Sequence, residues 1–449
     1  MAQEGGLGAP LRHVIDWQSP AFTDPDAIDA ELRRVFDICH GCRRCFNLCD
    51  SFPRLFDLID ASESGELDTV ASDDFQPVVD ACTLCDMCFM TKCPYVPPHE
   101  FDLDFPHLML RVRVAEFQRG EVGFWDKRLA DTDGNGKLAT KVSALANWGS
   151  SRKNALTRPI LEKVCDIHRD AALPAYASKT LAAKARQADL KVNAEAPAFG
   201  RKAVIYATCF SNFNTPEIGE ATRRILAHNG VETEVVYPAC CGMPLLEQGD
   251  LAQVTQRAKE IAQAMKPHIE AGKKVIALVP SCALMMKFEW PLIVPDDADV
   301  QALAEATRDA SEYIVEIAKE FGLAGDLKPI EGPVTLHIAC HARAQNMGAK
   351  AAEMLRLIPD TEVKVVERCS GHGGSWGIKK ENFEIGMKVG KPVMRQADRN
   401  DPDGTGWIAS ECPLAALHLQ QGVEMLEGRT QPVPRQGHPV ELMAKACGL

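Results

Sequence analysis

Residues 202–209 read Lys-Ala-Val-Ile-Tyr-Ala-Thr-Cys, and 131 positions further on residues 333–340 read Pro-Val-Thr-Leu-His-Ile-Ala-Cys. Each is a short apolar run ending in a cysteine, the pattern of a buried strand followed by a turn. The pairing recurs twice more. Cys240 follows the run Glu232 to Tyr237 as Cys369 follows Glu362 to Glu367, an offset of 129, and Cys282 follows Lys274 to Val279 as Cys412 follows Gly406 to Ala409, an offset of 130. Longer helical windows such as 251–271 separate the runs, so the alternation predicts βαβ units and a largely parallel sheet. Offsets constant to within two residues make everything from Arg201 a tandem duplication, with repeats at 201–325 and 326–449.

Upstream, residues 1–110 hold eight cysteines in two tight runs. Cys39, Cys42, Cys45 and Cys49 have the spacing C-x2-C-x2-C-x3-C, whereas Cys82, Cys85, Cys88 and Cys93 have C-x2-C-x2-C-x4-C followed by Pro94. Three thiolates at intervals of three wrap three corners of a cubane iron-sulfur cluster, and the last cysteine of each run serves the other cluster. The expected ligation is therefore crossed: Cys39, Cys42, Cys45 and Cys93 on one 4Fe-4S cluster, and Cys49, Cys82, Cys85 and Cys88 on the other. The extra residue before Cys93 predicts a bulge. Structural zinc is the rival reading, but zinc sites pair two C-x2-C knuckles across a longer spacer. The spacer 50–81 lacks strand-like alternation. Residues 111–200, rich in Ala, Lys and Arg, read as a helical connector.

The N-terminal runs, with 32 residues between Cys49 and Cys82, resemble the α-helical ferredoxin domain of respiratory dehydrogenase iron-sulfur subunits. The phrases Cys240-Cys241-Gly242 and Cys369-Ser370-Gly371, with Cys209, Cys282, Cys340-His341 and Cys412, resemble the CCG cysteine-rich domains of heterodisulfide reductase and its relatives. The whole is similar to the family that includes the iron-sulfur subunits of anaerobic glycerol-3-phosphate dehydrogenase and of glycolate and lactate oxidation. The expected fold is thus α+β and multidomain, an α-helical ferredoxin-type domain followed by two α/β cysteine-rich repeats. The resemblance implies a metal or further iron-sulfur cluster on Cys209, Cys240, Cys241 and Cys282. It implies a depleted set on Cys340, Cys369 and Cys412, where Ser370 replaces the second cysteine of the motif. His341 or His372 could complete that set, or the second repeat is a copy kept for packing. The family's terminal CxxC is missing, since Val279 and Met285 stand at those spacings from Cys282.

Bulk composition narrows the function. A net charge of −12 argues against sequence-independent nucleic-acid binding, and the longest apolar stretch, Val275 to Met286, is too short and too interrupted to span a membrane. Seventeen cysteines behind an N-terminus, Met1 to Trp17, without an apolar leader place the chain in the reducing cytoplasm. It would sit peripherally at the inner face of the membrane. Cys165 and Cys447 have no cysteine neighbours and read as packing thiols. No Gly-rich nucleotide motif is found, so electrons should come from a flavoprotein dehydrogenase subunit. They pass through the two clusters to the cysteine-rich half and on to an acceptor such as quinone. The alternative is a heterodisulfide-reductase-like catalyst acting at the CCG cysteines. Two charged segments are candidate docking faces: the acidic 50–80, with Arg54 its single base, and 137–191, with eleven Lys/Arg against four acids.

Overall fold

The apolar runs of the C-terminal half form two four-stranded sheets in which every pairing is parallel. The first contains β1 (Lys202–Tyr206), β2 (Glu232–Val236), β3 (Lys274–Ala277) and β4 (Thr307–Asp309) in the order β2-β1-β3-β4. The second contains β5 (Val334–His337), β6 (Val363–Val366), β7 (Trp407–Ser410) and β8 (Arg435–Gly437) in the order β6-β5-β7-β8. All six expected strands form. The two edge strands β4 and β8 were not anticipated, because Thr-Arg-Asp and Arg-Gln-Gly carry no apolar run. They are strands only through register with β3 and β7, Val275 opposite Thr307 and Trp407 opposite Arg435.

This structure is a computed structural model describing residues 10–449; the first nine residues of the stretch read as leaderless lie outside the described residues. Alternation along the central strands divides the core in two. Val204 and Tyr206 of β1, with Val275 and Ala277 of β3, pack into an apolar cluster shared with the N-terminal helices. Ala203, Ile205 and Ile276 face the opposite way, into a cluster shared with Val334 and Leu336 of β5. The first sheet is therefore the middle layer, and burying each Val or Ile there contributes about 1.5–3 kcal/mol.

Among the described residues up to 110 there is no strand. Helices Pro25–Cys42, Ser51–Asp60 and Phe105–Arg119 surround an aromatic centre in which Phe36 meets Phe75 edge-on at 5.1 Å and Phe52 meets Phe105 at 4.7 Å. Asp24 caps the first helix by accepting from the Ala27 N–H, and Pro25 follows at its first position, where a missing N–H costs nothing. A buried ion network fastens this domain to the first repeat. Arg12 donates to Asp86, Asp104 and Glu289, and the other Glu289 oxygen lies 3.1 Å from His107 Nε2. Glu289 ends a single π-helical turn, Met285–Glu289. The connector is short helices plus extended chain, and it straps onto the second repeat through an antiparallel bridge between Ile167 and Lys379. No helix among the described residues is long and apolar enough to cross a membrane.

Candidate redox centres

Parallel sheets gather chemistry at the carboxyl ends of their strands, because every strand there hands over to a turn and a helix N-terminus. Cys209, Cys240 and Cys282 follow β1, β2 and β3, and Cys340, Cys369 and Cys412 follow β5, β6 and β7 in the same way. Cys209 and Cys340 open short helices, and Cys412 caps Pro413–Glu424, where the N–H groups of Leu414 and Ala415 point at its sulfur. Exposed N–H groups at a helix start favour a thiolate.

In the first repeat the Cys209 and Cys240 sulfurs are 3.6 Å apart. Hydrogen bonds from Cys209 and then Cys241 hold the Cys240 thiol well below its usual pKa, while Cys209 and Cys241 are pushed up in return. Cys241 also neighbours Cys282. Cys240, Cys241 and Cys282 are buried and Cys209 is half-buried. The connector seals the set. The Thr132 hydroxyl, buried and without a nitrogen or oxygen partner, is turned toward Cys240 and Cys209. Next to it, Asp133 accepts from the Cys240 N–H at 3.0 Å and from the Tyr237 hydroxyl. Thr132 and Asp133 were invisible to sequence reading, since a lone Thr-Asp pair in a helical segment signals a cap at most.

The N-terminal cysteines come together in crossed groups. Burial raises Cys39, and the nearest sulfurs acting on it are Cys93, Cys45 and Cys42. Cys45 is pushed up to about 12 by burial and by Cys93 and Cys42. Cys49, raised by burial, is acted on by Cys85 and Cys82, and Cys88 by Cys85, Cys82 and Cys49. The backbone explains how these loops curl. Arg43, Leu84 and Asp86 have left-handed φ of 51°, 47° and 60°, rare for side-chain-bearing residues. The extra residue of the second run is absorbed by a wide turn in which Cys93 N–H reaches back five residues to the Cys88 carbonyl at 2.9 Å.

One local device recurs across all three regions. The N–H two residues on points at the sulfur of Cys49 (from Ser51), Cys82 (Leu84), Cys85 (Met87), Cys93 (Tyr95), Cys240 (Gly242) and Cys369 (Gly371). Each such bond favours the thiolate over the thiol.

The second-repeat cysteines, all half-buried, lie between the other groups. The sulfurs acting on Cys340 are Cys85, Cys369 and Cys412, and Cys412 in turn neighbours Cys282. Each of the two histidines considered for this set has a neighbour of its own. His341 Nε2 is 3.3 Å from the Leu84 carbonyl, and His372 packs edge-on against His418. Cys165 ends helix Arg158–Cys165, and Cys447 packs at the rim of the apolar cluster between the sheets. Among the described residues, no three His, Cys, Asp or Glu side chains are arranged to hold a single metal ion.

The CCG cysteine-rich domain matches this chain twice, at residues 203–287 and 334–420. A subunit of anaerobic glycerol-3-phosphate dehydrogenase from Escherichia coli is 25% identical over 321 residues, which is 71% of this chain and 76% of that protein. Lactate utilization protein A from Bacillus pumilus is 29% identical over 40% of this chain and 75% of its own length. A fumarate reductase (CoM/CoB) subunit from Methanothermobacter marburgensis is 24% identical over 50% of this chain and 43% of its own length. Two segments of the chain thus match the CCG cysteine-rich domain, and the chain resembles a subunit of anaerobic glycerol-3-phosphate dehydrogenase.

Proposed function

We propose that this chain is the iron-sulfur electron-transfer subunit of an oxidoreductase complex. Residues 1–110 would hold two 4Fe-4S clusters, one on Cys39, Cys42, Cys45 and Cys93 and one on Cys49, Cys82, Cys85 and Cys88. Residues 111–200 connect to repeats 201–325 and 326–449, whose sets are Cys209, Cys240, Cys241 and Cys282, and Cys340, Cys369 and Cys412. The observation that carries the reading is the unbroken succession of sulfur groups. Cys93 joins the first group, Cys49 joins the second, Cys85 neighbours Cys340, and Cys412 neighbours Cys282.

Donor chemistry supports thiolate ligation. Burial raises most of these thiols, so as free groups they are costly to ionise, and a bound cation repays that cost. The N–H donors aimed at the sulfurs would tune the potential of whatever they hold. When bound, clusters supply one-electron redox steps; the chain's own residues position the sulfurs, exclude water and set their hydrogen bonds. The relatives are named as subunits of a dehydrogenase and a reductase. We accordingly assign the donor to a flavoprotein dehydrogenase subunit and the terminal outlet to an acceptor such as quinone. Anaerobic purification from the native cell tests this: about eight irons per chain from the N-terminal domain alone, and a flavin-containing partner, are expected. Zinc in place of iron would refute it.

A second reading, catalytic disulfide reduction in the first repeat, is favoured by the 3.6 Å approach of the Cys209 and Cys240 sulfurs, a dithiol pair in which the thiolate is the attacking species. Turnover of a disulfide with reduced viologen and no partner would establish it.

A further inference from the structure

On a chain of net charge −12, one face is strongly positive. Lys388, Lys391, Arg395 and Arg399 are spaced three and four apart on the helix Phe383–Asn400, which places them on one stripe. All four are exposed. With Arg368 they line a groove of about 470 Å³. None of the five makes an ion pair among the described residues. Like charges at these spacings weaken a helix rather than support it, and the acids available elsewhere on the chain do not reach them.

The stripe is tied to a sulfur. Arg368 immediately precedes Cys369. The same helix lies by Gly386 and Gly390 against the backbone of Ser370 and Gly371, so closely that a Cβ at either glycine would collide with those carbonyls. The opposite helix face, Val393, Met394 and Ala397, is buried in the core of the second repeat. The cations and the Cys369 loop therefore form one rigid unit. Cys340, Cys369 and Cys412 are all half-buried, whereas three of the four first-repeat cysteines are buried.

We propose that this stripe is the docking surface for an acidic electron-carrier protein that takes single electrons from the centre held by Cys340, Cys369 and Cys412. Charge complementarity selects an acidic partner, and proximity to Cys369 selects one that carries electrons. In each transfer the reduced centre loses one electron and the carrier's cofactor gains it; no bond forms or breaks and no proton moves. The proposal rests on the relay reading above and names its immediate acceptor.

The test uses the full-length, iron-loaded chain, reduced anaerobically and freed of reductant, mixed with ferricytochrome b5, an acidic haem protein whose iron accepts one electron. The wild-type rate should fall steeply between ~20 and ~300 mM salt. The reversal Lys388→Glu, Lys391→Glu, Arg395→Glu should slow it about tenfold or more at low salt, and the neutral pair Lys391→Gln, Arg395→Gln should slow it by less. Reversal of Lys137 and Lys141, exposed on the connector, should leave it within about twofold. Reduction of basic ferricytochrome c should not be slowed by the stripe variants. A stripe variant with full iron content that reduces cytochrome b5 at the wild-type rate would overturn the proposal. So would an unchanged rate combined with lost sedimentation on phosphatidylglycerol vesicles, which would make the face a membrane surface. If wild-type chain carries no reducible iron and reduces neither cytochrome, the relay reading fails and takes this proposal with it.

Discussion

The two cysteine-rich repeats share strand order and cysteine placement, yet they have been fitted to different surroundings. The first is the middle layer: one sheet face packs on the N-terminal helices, the other on its sister repeat, and the connector closes over its sulfurs with Thr132 and Asp133. The second packs on one face of the first, has Ser370 in place of one sulfur, and its Cys340 and Cys369 lie near Cys85 of the N-terminal region. Duplication supplied the same scaffold twice, and position in the molecule decided which copy could keep a sealed thiolate site. The contrast teaches that cysteine count alone is a poor guide to which repeat handles the outside world.

The largest expected effect breaks the comparison at its chemical centre. Cys240→Ser should abolish the proposed first-repeat centre, because its sulfur lies 3.6 Å from that of Cys209 at the heart of the set, while the proposed N-terminal clusters still assemble; iron content with electron-resonance spectra before and after reduction would read this. A first-repeat signal surviving intact in Cys240→Ser would show that Cys240 is not a ligand.

Acid should separate the repeats next. Burial lowers His337, His418 and His438 to about 4 and His372 to about 3, all in the second repeat. These histidines are neutral in the fold and take up protons on unfolding below their ordinary value near 6.5. Their contribution is full above pH ~6.5 and is lost as pH falls from there toward 4. At about 1.4 kcal/mol per pKa unit, four such groups amount to several kcal/mol. Hydrogen exchange at pH 5 should therefore open β5 to β8 before β1 to β4; simultaneous opening would show that the shared core between the sheets overrides this difference.

Arg12→Ala attacks the first repeat's attachment instead. It leaves Asp86, its side chain 5% exposed, without its paired cation and Glu289, 3% exposed, with His107 alone, and removing one partner of a buried pair costs about 3–5 kcal/mol. Chemical denaturation should show that loss, with the N-terminal helices released from the first repeat.

The smallest effects sharpen the comparison at matching glycines. Gly242 and Gly371 both have left-handed φ, 84° and 79°. A Cβ at Gly242 would meet nothing nearer than Val254 at 3.6 Å, so Gly242→Ala should cost only the conformational strain, about 1–2 kcal/mol. At Gly371 a Cβ would run into the Gly386 carbonyl, and Gly371→Ala should cost more than about 3 kcal/mol. Equal melting temperatures for the two variants would contradict the tighter packing of the second loop.

Much of the scaffold was legible in the chain because parallel strands buried on both faces must be written as apolar runs. Val204 to Tyr206 and Val334 to Leu336 leave little choice, and a cysteine repeated at a constant offset marks the same turn twice. The strands β4 and β8 were not legible, since three polar residues become a strand only when a neighbour offers its edge. Composition also pointed to 137–191 as a free basic face. There Arg158 in fact donates to the carbonyls of Arg169, His168 and Ala171, and Lys184 and Arg152 pair with Glu217, Glu220 and Glu424. The cations of Phe383–Asn400, by contrast, are unpaired and share one helix face, and only a helix of known exposure distinguishes such a stripe from a scatter of lysines.

By itself the sequence determined the two cysteine runs, the duplication and the strand-to-cysteine order, because these are matters of local spacing that backbone geometry reads directly. Tertiary structure alone decided that a connector threonine and aspartate close the first set, and that Cys85 comes near Cys340 and Cys412 near Cys282. Those are contacts between segments far apart in the chain, and their partners are chosen by how layers pack, which no local spacing encodes.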